Sequence, residues 1–301
     1  MPTPSPRPWA HVTLSTLIDP FARPVRTGHL ARRLSSAVLP ARAAGLAEDT
    51  QRAATAGEAR ALAGVRAEIG GAHAVQRDPT TCGSASLVVL AALGDPELER
   101  WIAEGTEPTA PRPEIPDAAR SAELAELAEQ GLTLDSPEHR FDAAQRLVKA
   151  ATSHRALGVA DWPDSLGTPP WAAAREARFP GVRYRWTPVD DRSERAAHVL
   201  AAVHSATLAG LPVPLYTSGD LGGGLGKAVP RHVVLARPAQ DRGSGPGLDA
   251  SGAPALTIYD PSRGLDHLVP VADLLARSTP LKALGSWSHV VIALLPVPRA
   301  G

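Results

Sequence analysis

QRDPTTCGSASLVVLAAL (residues 76–93) passes from a polar turn into an apolar run, and Cys82, the one cysteine of the chain, stands at the junction. The junction reads as the start of a helix beginning within a residue or two of Cys82. The run SLVVLAAL that follows reads as a helix buried on more than one face, packed on a twisted antiparallel sheet. Two readings of the thiol are open. A free cysteine is commonly a small buried hydrophobe. At a helix start it is also placed to act as a nucleophile, because unpaired N–H groups and the positive end of the helix dipole favour a thiolate.

The composition narrows the classes. The chain has 301 residues, 44% hydrophobic and 21% charged, which suits a globular protein with ample chain for a core. Lys+Arg and Asp+Glu balance at 31 each, so no global field recruits nucleic acid or an anionic membrane. One cysteine excludes an internal disulfide and a cysteine-cluster metal site. No apolar run approaches the length of a membrane span. The first 40 residues lack the apolar centre of a secretory signal. The expectation is a cytoplasmic protein without cofactor or metal.

Outward from the opening stretch the chain changes character several times. Residues 1–40 are punctuated by proline and read as a peripheral arm. Residues 41–69 are Ala-rich with scattered Glu and Arg and read as helix, ended by Gly70 and Gly71. Residues 1–70 are therefore expected to form an arm and a helix, and 71–301 the main domain. Asp95 and Pro96 are a helix N-cap and first-turn pair. Further helices are expected near 117–130, over 137–153, and within 167–179. From residue 180 onward short β-type runs dominate: VRYRWTPV, VPLYTS, HVVLARP, ALTIYD and HVVIALLPV. Helices first and strands later is an α+β arrangement.

Ten histidines are candidates to partner Cys82. Two stand out because each opens a strand, His232 in PRHVVLA and His289 in WSHVVIALL. His198 and His204 fall on a helix, and His267 follows Asp266 in a polar turn. HVVLARP and ALTIYD are joined by a turn-rich connector and are expected to pair as an antiparallel hairpin. In such a pair the first residue of one strand lies near the last residue of the other. That brings His232 and Asp260 to one edge of the sheet, where a carboxylate can orient an imidazole. An isolated pair of this kind is equally consistent with a structural ion pair.

Gln76, then Cys82-Gly83, then His232 before an apolar strand, then YDPSRG (259–264) resembles, in order, the papain-like cysteine peptidases. It is most similar to stand-alone relatives of the bacteriocin leader-processing peptidase domains. The resemblance spans about residues 71–301 but rests on three short islands. It implies a papain-like fold, with Cys82 as nucleophile, His232 as general base and Asp260 orienting the histidine. Gln76 would donate its side-chain amide to the oxyanion beside the backbone N–H of Cys82. It also implies a peptide or protein substrate. Ser84 stands where those domains usually carry proline, and 150 residues separate Cys82 from His232, more than in their compact form. The glycine-rich stretch 218–230 lacks the context of a phosphate-binding loop. Three classes remain open: a cysteine peptidase or amide hydrolase, a transglutaminase-like acyltransferase, and an inactive peptidase-like binding module.

Overall fold

The computed structural model describes residues 64–117, 133–220, 232–239 and 245–299, with positions 13, 125, 128, 129, 131 and 230. Among these residues there are five helices: α1 (Cys82–Ala92), α2 (Pro96–Glu104), α3 (Pro137–Ser153), α4 (Pro170–Glu176) and α5 (Glu194–Leu208). The strands are β1 (Val65–Arg66), β2 (Glu68–Ile69), β3 (Ala72–His73), β4 (Val182–Pro188), β5 (Val213–Ser218), β6 (His232–Ala236), β7 (Ala255–Asp260), β8 (Leu265–Pro270) and β9 (His289–Pro298). Seven of them form a large antiparallel sheet in the order β1-β8-β7-β6-β5-β9-β4, and β2 pairs with β3. This mixture of helices and antiparallel sheet is compatible with the α+β class expected.

The chain divides into two compact units. A helical unit takes Ala63–Arg185, Tyr259–His267 and Pro296–Gly301; a sheet unit takes Trp186–Ile258 and Leu268–Leu295. In the helical unit α1 packs against α2, α3 and α4. All eleven residues of α1 are buried, as an all-round apolar helix requires. Gly83 permits its close approach to a neighbour: a Cβ there would lie 2.6 Å from the Thr168 side chain. In this unit two of the helix starts, those of α2 and α3, follow capping chemistry. Asp95 accepts from the N–H groups of Glu97 and Leu98, with Pro96 in the first turn, and Ser136 accepts from His139 ahead of Pro137.

In the sheet unit β5 is flanked by β6 and β9. Thr217 lies opposite His232 on one side, and Ser218 opposite His289 on the other. Both strand-opening histidines therefore flank the same end of β5. α5 packs on β5 and is capped by Ser193, whose hydroxyl accepts from Ala196.

Several expectations need correction. The Ala-rich helix does not extend to residue 69: Val65–Arg66 and Glu68–Ile69 are strands, and β1 is held by pairing with β8. Long-range pairing outweighs local helix propensity there. His267 lies not in a turn but in β8, 3% exposed. His73 belongs to β3, and its Nε2 lies 3.1 Å from the Gly264 carbonyl. α5 interrupts the expected order of helices before strands. Apart from Thr13, the arm and the rest of the 41–69 helix lie outside the described residues, as do most of 117–130 and all of 221–229.

Candidate functional site

The turn entering α1 is closed by its own side chains. Asp78 Oδ1 accepts from the Thr80 N–H (2.8 Å) and hydroxyl (2.7 Å). The Thr81 hydroxyl accepts from the Asp78 N–H and donates to the Asp78 carbonyl, each at 3.0 Å. Engaged in this way, Thr81 gives α1 no side-chain cap, and Cys82 is the first residue of the helix. First-turn N–H groups without a side-chain cap are what an oxyanion would need at that point. Cys82 itself is 3% exposed.

Four side chains at successive i, i+3, i+4, i+7 positions of α3 frame this turn. Asp142 accepts from Arg77 Nη1 at 2.9 Å. Gln145 Oε1 accepts from the Arg77 N–H (3.0 Å) while its Nε2 donates to the Val75 carbonyl (3.1 Å). Arg146 lies 3.8 Å from Asp78, and Lys149 Nζ donates to the Thr80 carbonyl at 3.2 Å. Burial pushes the Asp78 carboxyl up, but the Thr80 hydrogen bonds and the Arg146 and Lys149 charges outweigh it and hold it below its usual value. For Asp142 burial prevails over Arg77, and the carboxyl is raised. The sequence signal for this frame is the polar spacing within FDAAQRLVK (141–149), a pattern that by itself reads only as helix.

The Gln76 N–H donates to the Pro261 carbonyl at 2.8 Å, and its side-chain Nε2 donates to the Asp78 carbonyl at 2.9 Å. One N–H of that amide is left over, and its Oε1 is buried without a hydrogen-bond partner. Asp260 is fully buried at the end of β7. Its Oδ1 accepts from the Ser262 N–H at 3.0 Å, and the Ser262 hydroxyl lies 2.8 Å from each carboxylate oxygen. Gln76, Cys82 and Asp260 thus belong to the helical unit, with Gln76 tied to the turn that follows Asp260.

His232 belongs to the sheet unit, where it opens β6 at 7% exposure. Its ring lies against the backbone of Gly285, where a Cβ would fall 2.2 Å from Cδ2 and 2.6 Å from Nε2. Gly285 also has φ +65, so glycine is favoured there twice over.

The sequence did not reveal the partners of His289. Its Nδ1 lies 2.7 Å from Asp191 Oδ2 and its Nε2 lies 3.2 Å from Asp220 Oδ1. Arg192 Nη2 lies 3.4 Å from that same Asp220 oxygen and donates to the Arg277 carbonyl at 2.9 Å. His289 is fully buried and Asp191 is 2% exposed, with Oδ1 buried and unpartnered. Burial pushes the Asp191 carboxyl up and Asp190 adds to it; His289 and Arg192 oppose this without cancelling it. A neutral imidazole has one N–H and serves one of the two carboxylates; Arg192 Nη2 donates to Asp220 Oδ1 as well. The only trace of this cluster in the sequence is Asp191 before the Ser193 cap and Asp220 just past β5.

No protein-family model, no curated protein and no solved structure matches the chain. No helix among the described residues is long and apolar enough to cross a membrane.

Proposed function

We propose that the chain hydrolyses peptide or amide bonds with Cys82 as nucleophile, in a papain-like fold. His232 serves as general base, Asp260 orients the imidazole, and Gln76 donates to the oxyanion. The observation that carries this reading lies in the helical unit. The one thiol of the chain heads a helix with no side-chain cap at its first turn, and the Gln76 backbone is bonded to the carbonyl that follows Asp260. In the reaction His232 takes the thiol proton, Sγ forms a bond to the substrate carbonyl carbon and the π pair moves to oxygen, toward the Gln76 amide and the Cys82 N–H. Collapse expels the amine, which takes its proton from His232. Water then attacks the thioester, giving a proton to His232; the C–S bond breaks, the acid leaves, and His232 returns the proton to Sγ.

The burial of Cys82 favours a second reading, in which the thiol is core packing in an inactive binding module. Iodoacetamide labelling of the native chain, with the adduct located by mass spectrometry, decides between them. A nucleophilic Cys82 is alkylated without denaturant. His232→Ala then slows labelling sharply and Asp260→Asn more mildly, because orientation is lost while the base remains. Labelling that requires denaturant, or is indifferent to His232, means core packing. Peptide release against incorporation of an added amine separates a hydrolase from an acyltransferase.

A further inference from the structure

Gln145 is a fully buried amide in the middle of α3. A buried amide is unfavourable unless its groups are bonded, so a glutamine is retained at such a position by its partners rather than by its volume. Those partners are the Val75 carbonyl and the Arg77 N–H, the two backbone groups that bracket Gln76. The Gln145 side chain therefore pairs with this segment much as a neighbouring strand would. With Gln76 N–H bonded to the Pro261 carbonyl, three consecutive residues have backbone groups fixed from outside the turn. Asp142 supports the same arrangement, accepting from Gln145 Nε2 at 3.2 Å and from Arg77 Nη1 at 2.9 Å. A solvated turn residue needs no such frame. An amide that must meet a developing charge does, since a displacement of about 1 Å can cost 10²-fold in rate.

We propose that Gln145 is a positioning residue, which acts through Gln76 by fixing the backbone on both sides of it. This rests on the reading of Gln76 as an oxyanion donor. The frame has a direction: Gln145 sets where the Gln76 amide points and leaves the thiol alone.

Two reagents separate these effects. A dipeptide aldehyde adds to the Cys82 thiol: the C–S bond forms, the carbonyl π pair moves to oxygen, and the thiol proton ends on that oxygen or on His232. Its affinity reads the oxyanion donors. Iodoacetamide alkylates sulfur with loss of iodide and develops no oxyanion, so its rate reads the thiol alone. Gln76→Ala should weaken aldehyde binding about 10²–10³-fold. Gln145→Ala should weaken it by roughly 10- to 100-fold, with the iodoacetamide rate unchanged. In the Gln76→Ala background, Gln145→Ala should add little further loss. Losses that multiply across the two positions, or an equal slowing of alkylation, overturn the proposal. If the wild-type protein binds no aldehyde, the hydrolase reading fails by itself, and NMR relaxation of the Gln76 amides still judges Gln145. Their order parameters should fall below about 0.6 in Gln145→Ala; unchanged values overturn the positioning role.

Discussion

Asp95 in the helical unit and Asp191 in the sheet unit are both buried carboxylates near the start of a helix, yet their surroundings move them in opposite directions. Asp95 Oδ2 receives Arg112 at 2.6 Å and Arg178 at 2.7 Å. Burial pushes its carboxyl up, but the two arginine hydrogen bonds, the Arg178 charge and the Leu98 N–H outweigh this and hold it at about 2. Asp191 faces one imidazole, with Arg192 contributing through space, and there burial wins. Two permanent cations in direct contact reverse the effect of burial; one titratable partner does not. The Asp95 network holds its carboxylate ionised with permanent cations, whereas burial at Asp191 favours the protonated acid.

The largest expected effect tests the fixed network. Arg178 also donates to buried Glu114 through Nε (3.1 Å) and Nη2 (2.9 Å). Arg178→Ala deprives two buried carboxylates at once and should lower stability by about 3–5 kcal/mol in urea unfolding. A loss under about 1 kcal/mol would place the network among ordinary surface pairs. His289→Ala should cost less, about 1–3 kcal/mol, because Asp191 can take up a proton instead of remaining an unpaired charge. If the two variants cost the same, Asp191 stays ionised and the contrast fails.

The smaller effects appear in pH profiles of stability. The folded-state pKa of Asp95 lies below the ordinary 3.8, so its contribution is complete above that value and lost as pH falls toward about 2. Asp191 has the opposite sign: its folded-state pKa is raised, so the stability it adds is present at low pH and lost as pH rises through the raised value. Asp95→Asn should flatten the acid limb, and Asp191→Asn should flatten the fall on the higher-pH side. Identical profiles for the two variants would remove the distinction.

The helix starts were legible because their chemistry is local. Asp95-Pro96, Ser136-Pro137 and the junction at Cys82 each mark a boundary within a few residues. The runs at 182–188, 213–218, 232–236, 255–260 and 289–298 announced themselves as strands by β-branched and aromatic content. β1 did not, since its two residues become a strand only when β8, about 200 positions later, returns to pair with them. The same limit applies to the side-chain clusters. Cys82 is marked by being the one thiol at a helix start and Asp260 by ending the strand expected to pair with that of His232, while Gln76 is marked only by a resemblance in order. The Gln145 frame and the pairing of His289 with Asp191 and Asp220 join residues that no local pattern connects. Gly285 is the extreme case: nothing in LKALGSW (281–287) shows that it faces the His232 ring.

The helical unit is discontinuous along the chain, and this orders its assembly in time. During synthesis α1 to α4 emerge in succession and can begin to pack on one another. Ala67, Ala74 and Gln76 bond to Gly264, the Tyr259 hydroxyl and Pro261. At about 5–20 residues per second, those partners leave the ribosome roughly ten to forty seconds after Gln76. The helix headed by Cys82 can thus be covered early, while the turn that carries Gln76 is closed late, by a segment that has to cross back from the sheet unit's stretch of sequence.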